Sequence, residues 1–175
     1  MLQRLLLIIG TIFISGCSHT TVHLDTVSSV DLNRYAGKWY EIARYENTFE
    51  RGCVGATADY TSLDGSIDVT NRCYDSLGKM TGEAKGSAKV VPESANSKLK
   101  VSFFWPFYGD YWVIKLADDY RYSVVGDPSR KYLWILARTP KLNESDRQAI
   151  LTELPKFGYD ADKLYWTSYS GLTKE

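Results

Sequence analysis

Apolar and polar residues alternate along most of the chain after residue 38, in short stretches rich in β-branched and aromatic side chains. Turn signals such as Asp64-Gly65 and Asp127-Pro128 separate the stretches. Eight consecutive strands with tight connections predict an all-β fold, an eight-stranded up-and-down antiparallel barrel, and a β-sandwich is the alternative. The predicted strands are Trp39–Tyr45, Val54–Thr61, Ile67–Tyr74, Glu83–Val91, Leu99–Phe103, Tyr111–Leu116, Tyr120–Val125 and Tyr132–Arg138.

A single helix follows the eighth strand and breaks the period of two. Asn143 is suited to cap its first turn, and Pro155 is expected to end it early. We expect this helix to pack on the outside of the barrel, before a last short strand over Lys163–Thr167. Its apolar stripe consists of Ile150, Leu151 and Leu154.

Strand alternation assigns one set of side chains to the barrel interior. On the first strand Trp39 sets the parity and places Glu41, Ala43 and Tyr45 inward as well. Small residues on the inward faces leave volume that a filled core would not tolerate, so the interior suits an apolar ligand. The alternative is a barrel filled by its own side chains. The predicted ligand-binding residues on these faces are Tyr45, Ala56, Ala58, Val69, Ala88, Val101, Phe103, Tyr111, Trp134 and Leu136.

The two ends of the barrel sequence predict how the barrel is closed. Asp31 is suited to cap a short turn over Leu32–Tyr35, which Gly37 ends. Arg138, at the end of the last strand, reaches the same end of the barrel as Trp39. We expect its guanidinium to stack on the indole and to donate to carbonyls of the turn, so that both residues close the barrel rather than contact a ligand.

The first residues form a targeting segment. Arg4 precedes a short apolar run that is about ten residues long, half of what spans a bilayer. Ile14-Ser15-Gly16-Cys17 resembles a bacterial lipobox, in which the cysteine becomes the mature N-terminus and carries diacylglycerol and palmitate. The alternative is an ordinary signal peptide that happens to contain a cysteine. Ser18 follows, rather than the Asp that favours inner-membrane retention, which points to the outer membrane.

These features divide the chain into a signal peptide over 1–16, an acylated N-terminus with a flexible tether over 17–29, and a barrel domain over 30–170. Export implies an oxidising compartment, in which Cys53 and Cys73 are left to form a disulfide. Hairpin pairing around residues 63–65 brings them near each other, although strand parity places them on opposite faces. A bulge, or a position of Cys53 just before its strand, would reconcile the two arguments.

Composition excludes several function classes. Five Trp, thirteen Tyr and six Phe suit strands and apolar pocket walls, and the net charge of zero argues against nucleic acid as a partner. The two histidines, His19 and His23, both lie in the tether. A histidine-based nucleophile, metal site or haem site in the barrel is therefore excluded, and we expect no enzyme, no catalytic residue, no metal and no cofactor. A buried Glu41 with a raised pKa is the one acid that an enzyme could use.

Three segments, in order and at the right spacing, carry a resemblance to the lipocalin family, and to its bacterial branch in particular. The first is 33–42, with Gly37-Lys38-Trp39; the second is Asp119-Tyr120; the third is 133–140, ending with Arg138-Thr139-Pro140. The similarity runs from Val30 to Trp166. It implies that Gly37, Trp39, Asp119, Tyr120 and Arg138 close the barrel.

The resemblance further implies a carrier of long-chain lipids, fatty acids or lysophospholipids, at the periplasmic face of the outer membrane. It places Tyr108 in an aromatic loop at the cavity mouth, and the lipid head near Tyr45, Arg51 and Tyr108. It also implies a possible homodimer. Trp105 departs from the glycine of bacterial relatives. The alternatives are a lipid- or pigment-modifying enzyme and a structural envelope lipoprotein without a ligand.

Overall fold

The strands form one antiparallel sheet that closes on itself. The structure, a computed structural model, describes residues 23–63 and 66–169. Neighbours follow the chain from β2 to β8, β8 pairs with β1, and β1 pairs with β2, which confirms the predicted eight-stranded up-and-down barrel. The strands are β1 (Gly37–Tyr45), β2 (Gly55–Leu63), β3 (Ser66–Tyr74), β4 (Met80–Val90), β5 (Lys98–Phe104), β6 (Phe107–Leu116), β7 (Tyr122–Gly126), β8 (Leu133–Ala137) and β9 (Leu164–Trp166).

Several strand boundaries differ from the sequence prediction; β4, for example, begins at Met80 rather than Glu83, and two of the differences have local reasons. The β5–β6 hairpin extends to its tip, where Phe104 pairs with Phe107, so β6 begins four residues earlier than predicted. Strand β7 begins at Tyr122 rather than Tyr120, because Tyr120 has a φ of 63° and belongs to the turn. The predicted turn at Asp64-Gly65 lies outside the described residues.

The helix α2 (Glu144–Glu153) packs on the outside of the barrel, as predicted. The side chain of Asn143 caps it by accepting a hydrogen bond from the backbone N–H of Asp146. Pro155 ends it, since the chain continues as a 3-10 turn over Leu154–Phe157. Between the helix and the barrel lies an outer core, formed by outward-facing strand residues together with residues of α2 and of the segment that follows it. Its buried members include Ile42, Ala43, Ile114, Val124, Leu133, Ile135, Ala137, Ile150, Leu154 and Tyr159.

Part of the segment that the sequence predicts as a flexible tether packs against the barrel. Leu24 is buried there, and Val30, the first residue of the predicted barrel domain, is buried as well. Burial of these apolar side chains stabilises the arrangement. The segment leads into α1 (Leu32–Tyr35), whose N-cap is Asp31 as predicted. The signal peptide and Cys17 lie outside the described residues.

The two ends of the barrel differ. At the end that contains α1, called the closed end here, the connections are the 91–97 and 117–121 turns. At the opposite end, called the open end, lie residues 46–54, 75–79, 105–106 and 127–132. The interior core occupies the closed half, with Val30, Tyr35, Trp39, Ala58, Tyr60, Ile67, Val69, Ala88, Leu99, Val113, Val125 and Leu136 buried together.

Candidate functional site

Trp39 and Arg138 form the floor of the barrel, as the sequence predicts. Trp39 is completely buried, and the guanidinium carbon of Arg138 lies 3.8 Å from the centroid of its ring. Arg138 Nη2 donates to the carbonyl of Arg34 at 2.6 Å, and Nη1 donates to the carbonyl of Lys38 at 2.9 Å. The stack and these bonds fasten the last strand to the turn that precedes the first, so the closed end is sealed.

Tyr120 also takes part in closure. Its hydroxyl accepts a hydrogen bond from the backbone N–H of Asp31 at 2.9 Å, and Arg34 lies over its ring at 4.0 Å. The predicted closure role of Asp119 finds no matching contact among the described residues: its carboxylate accepts from the backbone and guanidinium of Arg121 in the same turn. Asp119 therefore shapes a turn.

Above this floor, a network of tyrosine hydroxyls crosses the interior. The hydroxyl of Tyr35 lies 2.8 Å from Ser123 Oγ and 2.8 Å from the hydroxyl of Tyr111, which in turn lies 3.1 Å from that of Tyr60. Burial raises the pKa of Tyr35 to about 12, so these phenols stay protonated and act as hydrogen-bond donors. Tyr35, Tyr60 and Ser123 were not predicted as site residues. Their hydroxyl groups lie where the interior core ends and the open half of the barrel begins.

The open half of the interior is lined by small and half-buried side chains. Register pairs place Ala84 opposite Asn71, Gly82 opposite Cys73, and Gly86 opposite Val69, all on the inward face. Ala84 and Gly82 are nevertheless exposed, because no side chain of the described residues fills the space in front of them. A β-carbon on Gly86 would lie 2.5 Å from the backbone oxygen of Ser102 and 2.8 Å from the ring of Phe103, so glycine there makes room for β5 and for that ring. The open half is thus a cup whose wall is largely apolar, with Asn71 as a polar side chain on it.

Most of the predicted ligand-binding residues lie on this inward face. Val101, Tyr111 and Trp134 line the cup and are half-buried, and Phe103 stands at its rim. Tyr108 lies at the hairpin tip beside the rim, and alternation along β6 gives it the parity of Asp110 rather than that of Tyr111. Four others belong to the buried interior core and form the base of the cup: Ala58, Val69, Ala88 and Leu136. Ala56 is also buried, but it pairs with Cys73 near the open end. Contact of these five residues with a ligand stays a prediction.

The inward assignments of Ala43 and Tyr45 are wrong. The pairing of β1 with β8 shifts between Glu41 and Ala43, and this bulge reverses the parity of the rest of the strand. Ala43 consequently packs beneath α2, and the ring of Tyr45 packs on Tyr159 at 5.6 Å outside the barrel. The sequence-based placement of a lipid head beside Tyr45 fails with it.

The same bulge turns Arg44 inward, where sequence reasoning missed it. Arg44 Nη1 lies 2.6 Å from Glu41 Oε1, and both residues are buried. Its Nε lies 3.9 Å from the carboxylate of Glu50. Burial, with Glu50 close by, raises the pKa of Glu41 well above its ordinary value, and Arg44 opposes that shift. Two consecutive apolar residues followed by an arginine within β1 are the signal that could have revealed the bulge.

The loop over residues 46–54 is held against the open end by this cluster. Arg44 Nη2 donates to the carbonyl of Cys53 at 3.0 Å, and the indole of Trp134 donates to Glu50 at 3.1 Å. The predicted disulfide between Cys53 and Cys73 is present, with Cα atoms 5.2 Å apart. Cys53 lies just before β2, which resolves the parity objection. The ion cluster and the disulfide thus both attach the loop to the barrel wall.

An open pocket of about 490 Å³ lies along the same loop. Charged and polar side chains such as Glu46, Asn47 and Arg51 line it, so it does not suit an acyl chain. Within residues 23–63 and 66–169, no group of His, Cys, Asp and Glu is arranged to hold a metal ion. No helix in that part of the chain is long and apolar enough to cross a membrane.

The closed floor, the single open mouth and the apolar cup define a barrel of the class that encloses one small hydrophobic molecule. Residues 30–169 match the family model of the lipocalin-like domain, and the chain belongs to the lipocalin family. Proteins of this family bind small hydrophobic ligands and act as binding or transport proteins.

Individual relatives agree with this assignment. The chain is 41% identical over 149 residues to outer membrane lipoprotein Blc of Citrobacter freundii, covering 85% of this chain and 84% of that protein. It is 38% identical over 167 residues to the protein of the same name in Vibrio cholerae, covering 94% and 98%. Among solved structures, insecticyanin of the tobacco hornworm Manduca sexta superimposes with a TM-score of 0.69 at 21% identity, covering 85% and 86%, which shows the same fold.

Proposed function

We propose that this protein binds and carries long-chain lipids, fatty acids or lysophospholipids, at the periplasmic face of the outer membrane. The observation that carries the proposal is the cup, whose inward wall of Ala84, Gly86 and Val101 is apolar and is left open by the barrel's own side chains. Burial of each methylene contributes about 0.8 kcal/mol, so a sixteen-carbon chain gains roughly 12 kcal/mol before association costs.

The polar part of the lipid sits at the rim, near Tyr108 and Trp134. Tyr108 is partly exposed there, and its phenol offers a hydrogen bond at the edge of an apolar wall. The acyl tail points toward Tyr111, where the hydroxyl network begins. This orientation keeps every charged group of the ligand in water, because burial of an unpaired charge in an apolar cavity is costly.

Membrane attachment is the second part of the proposal. The lipobox-like segment before Cys17 supports acylation, and relatives named outer membrane lipoprotein support the location. Cys17→Ala is expected to leave the protein unprocessed or released from the membrane on fractionation. A variant that is still processed and acylated would overturn this part.

We infer a carrier rather than an enzyme. Glu41, the acid that sequence reasoning offered to an enzyme, is buried in an ion pair with Arg44 and faces no open part of the cup. A carboxyl group so placed lacks the access to substrate that general acid–base catalysis requires.

A matched pair of tryptophan variants tests the binding site. Ala84→Trp fills the cup, whereas Lys85→Trp adds the same ring to the adjacent outward position. We expect wild type and Lys85→Trp to bind a fluorescent sixteen-carbon fatty acid at low-micromolar Kd or better, and Ala84→Trp to bind roughly tenfold more weakly. Absence of saturable binding for both fatty acid and lysophospholipid, or equal binding by the two variants, would contradict the proposal.

A further inference from the structure

The tip of the β5–β6 hairpin is an exposed aromatic surface. Phe104, Trp105 and Phe107 are 75%, 78% and 71% exposed, and the rings of Phe104 and Phe107 stack at 6.4 Å. From residue 103 to 109 the chain carries no charged side chain. Contiguous exposed apolar surface of this kind marks an interaction site in a soluble domain.

This tip lies beside the rim of the cup. Phe103, one residue before it, turns its ring inward against Gly86, and Tyr108, one residue after it, belongs to the predicted mouth. Whatever covers the tip therefore stands next to the opening through which a ligand passes.

The N-terminal segment contacts the same strand. The backbone N–H of Val27 donates to the carbonyl of Val113 in β6 at 3.0 Å, and β6 begins at the tip, at Phe107. Six residues of strand separate Val113 from Phe107, which is about 20 Å. Leu24 is packed against the barrel and lies seven positions after Cys17, a reach of at most about 23 Å. An acyl group on Cys17 and the aromatic tip can therefore meet one membrane plane along the β6 side of the barrel.

We propose that residues 104–107 dock into the lipid bilayer that holds the acyl chains of Cys17, so that the mouth of the cup lies at the bilayer surface. This inference rests on the proposed function. Aromatic side chains on an uncharged, convex tip match the bilayer interface, where Trp and Tyr are enriched. A second protein is the less suitable occupant, because three rings bury at most about 450–750 Å², less than the roughly 800 Å² per partner of a stable interface.

The test uses the intact acylated protein in vesicles of phosphatidylethanolamine and phosphatidylglycerol with brominated acyl chains, which quench tryptophan on contact. We expect Trp105→Phe to remove most of the quenched fluorescence and Trp166→Phe, at the barrel wall beside β1, to leave it unchanged. Quenching that disappears only with Trp134→Phe means that brominated lipid enters the cup without docking of the tip. That result would overturn the docking inference and leave the proposed function standing.

Lipid transfer provides the second readout. A variant with Phe104→Ser, Trp105→Ser and Phe107→Ser is expected to extract a fluorescent fatty acid from vesicles at least tenfold more slowly, since each ring lost from the bilayer lowers partitioning by roughly that factor. Its Kd for the free fatty acid in solution should stay within about twofold of wild type. Leu77→Ser, which changes a more exposed apolar residue on a neighbouring loop, is the control and should transfer at the wild-type rate.

Two results would overturn the inference. One is an unchanged transfer rate in the triple variant. The other is a wild-type dimer that the triple variant converts to a monomer in sedimentation, with vesicle quenching of Trp105 absent, because a second copy of the chain would then cover the tip.

Discussion

Replacement of Arg44 with methionine tests the buried ion cluster that holds the 46–54 loop. Arg44 and Glu41 are each 3% exposed, and their ion pair has a separation of 2.6 Å. Methionine keeps the aliphatic stem but leaves Glu41 beside Glu50 without a cation. Removal of one partner of a buried pair costs about 3–5 kcal/mol, and we expect Arg44→Met to lose that much free energy of unfolding at pH 7.

The loss should depend on pH. The pKa of Glu41 is raised in the folded protein, so its contribution to stability is fully present below the unfolded pKa and is lost as the pH rises through the folded value. Without Arg44 the folded pKa rises further, because the favourable charge is gone. At about pH 5 a protonated Glu41 needs no cation, so the loss in Arg44→Met should be smaller there than at pH 7.

The assay is urea unfolding, followed by tryptophan fluorescence with the disulfide intact. Addition of Glu41→Gln to Arg44→Met should recover at least about 1 kcal/mol at pH 7, which is the coupling expected of residues in contact. Arg72→Met is the matched control: Arg72 pairs with Asp59 and Glu83 on the partly exposed outer face, so about 1 kcal/mol or less should be lost. An equal loss in Arg44→Met at both pH values, with no recovery from Glu41→Gln, would refute the reasoning.

Two further predictions concern the disulfide and the outer core. Cys73→Ser removes a disulfide between residues 20 apart and should lower the free energy of unfolding by about 3 kcal/mol. Wild type treated with a reductant should lose the same amount in chemical unfolding. A smaller loss in both would show that the disulfide does not restrict the unfolded chain. Ile150→Ala, beneath α2, should cost about 2–5 kcal/mol and lower the Tm without a change in the Kd for fatty acid, since this core lies outside the cup. Weakened fatty-acid binding would mean that the two cores are coupled.

The period of two in the sequence predicts the barrel and most of its inward face because the strands are regular over those positions. Trp134 and Leu136 keep the parity that Arg138 implies, and the small residues of β4 alternate with charged ones up to the open end. Alternation fails in β1 because one bulge reverses every side chain after Glu41. Tyr45 was therefore placed on the wrong face.

The remaining misses concern contacts between parts of the chain that are distant in sequence. Leu24, Val27 and Val30 recur every three residues, but the polar residues around them suggested a tether. The predicted last strand exists. Its pairing with β1, and the hydrogen bonds from Tyr169 to the carbonyls of Glu41 and Ala56, join residues more than 100 positions apart, which the strand pattern does not predict. The C-terminal segment thereby fills the gap between β1 and β2 near the open end.

Native mass spectrometry of the protein, purified from its membrane in a mild detergent, most directly tests whether the cup holds an acyl chain. We expect one bound single-chain lipid per polypeptide in wild type and in Lys85→Trp, and a clearly smaller lipid-bound fraction in Ala84→Trp, whose added ring takes up part of the cup. A spectrum in which all three proteins show only the mass of the acylated polypeptide, or all three retain the same lipid, would contradict it.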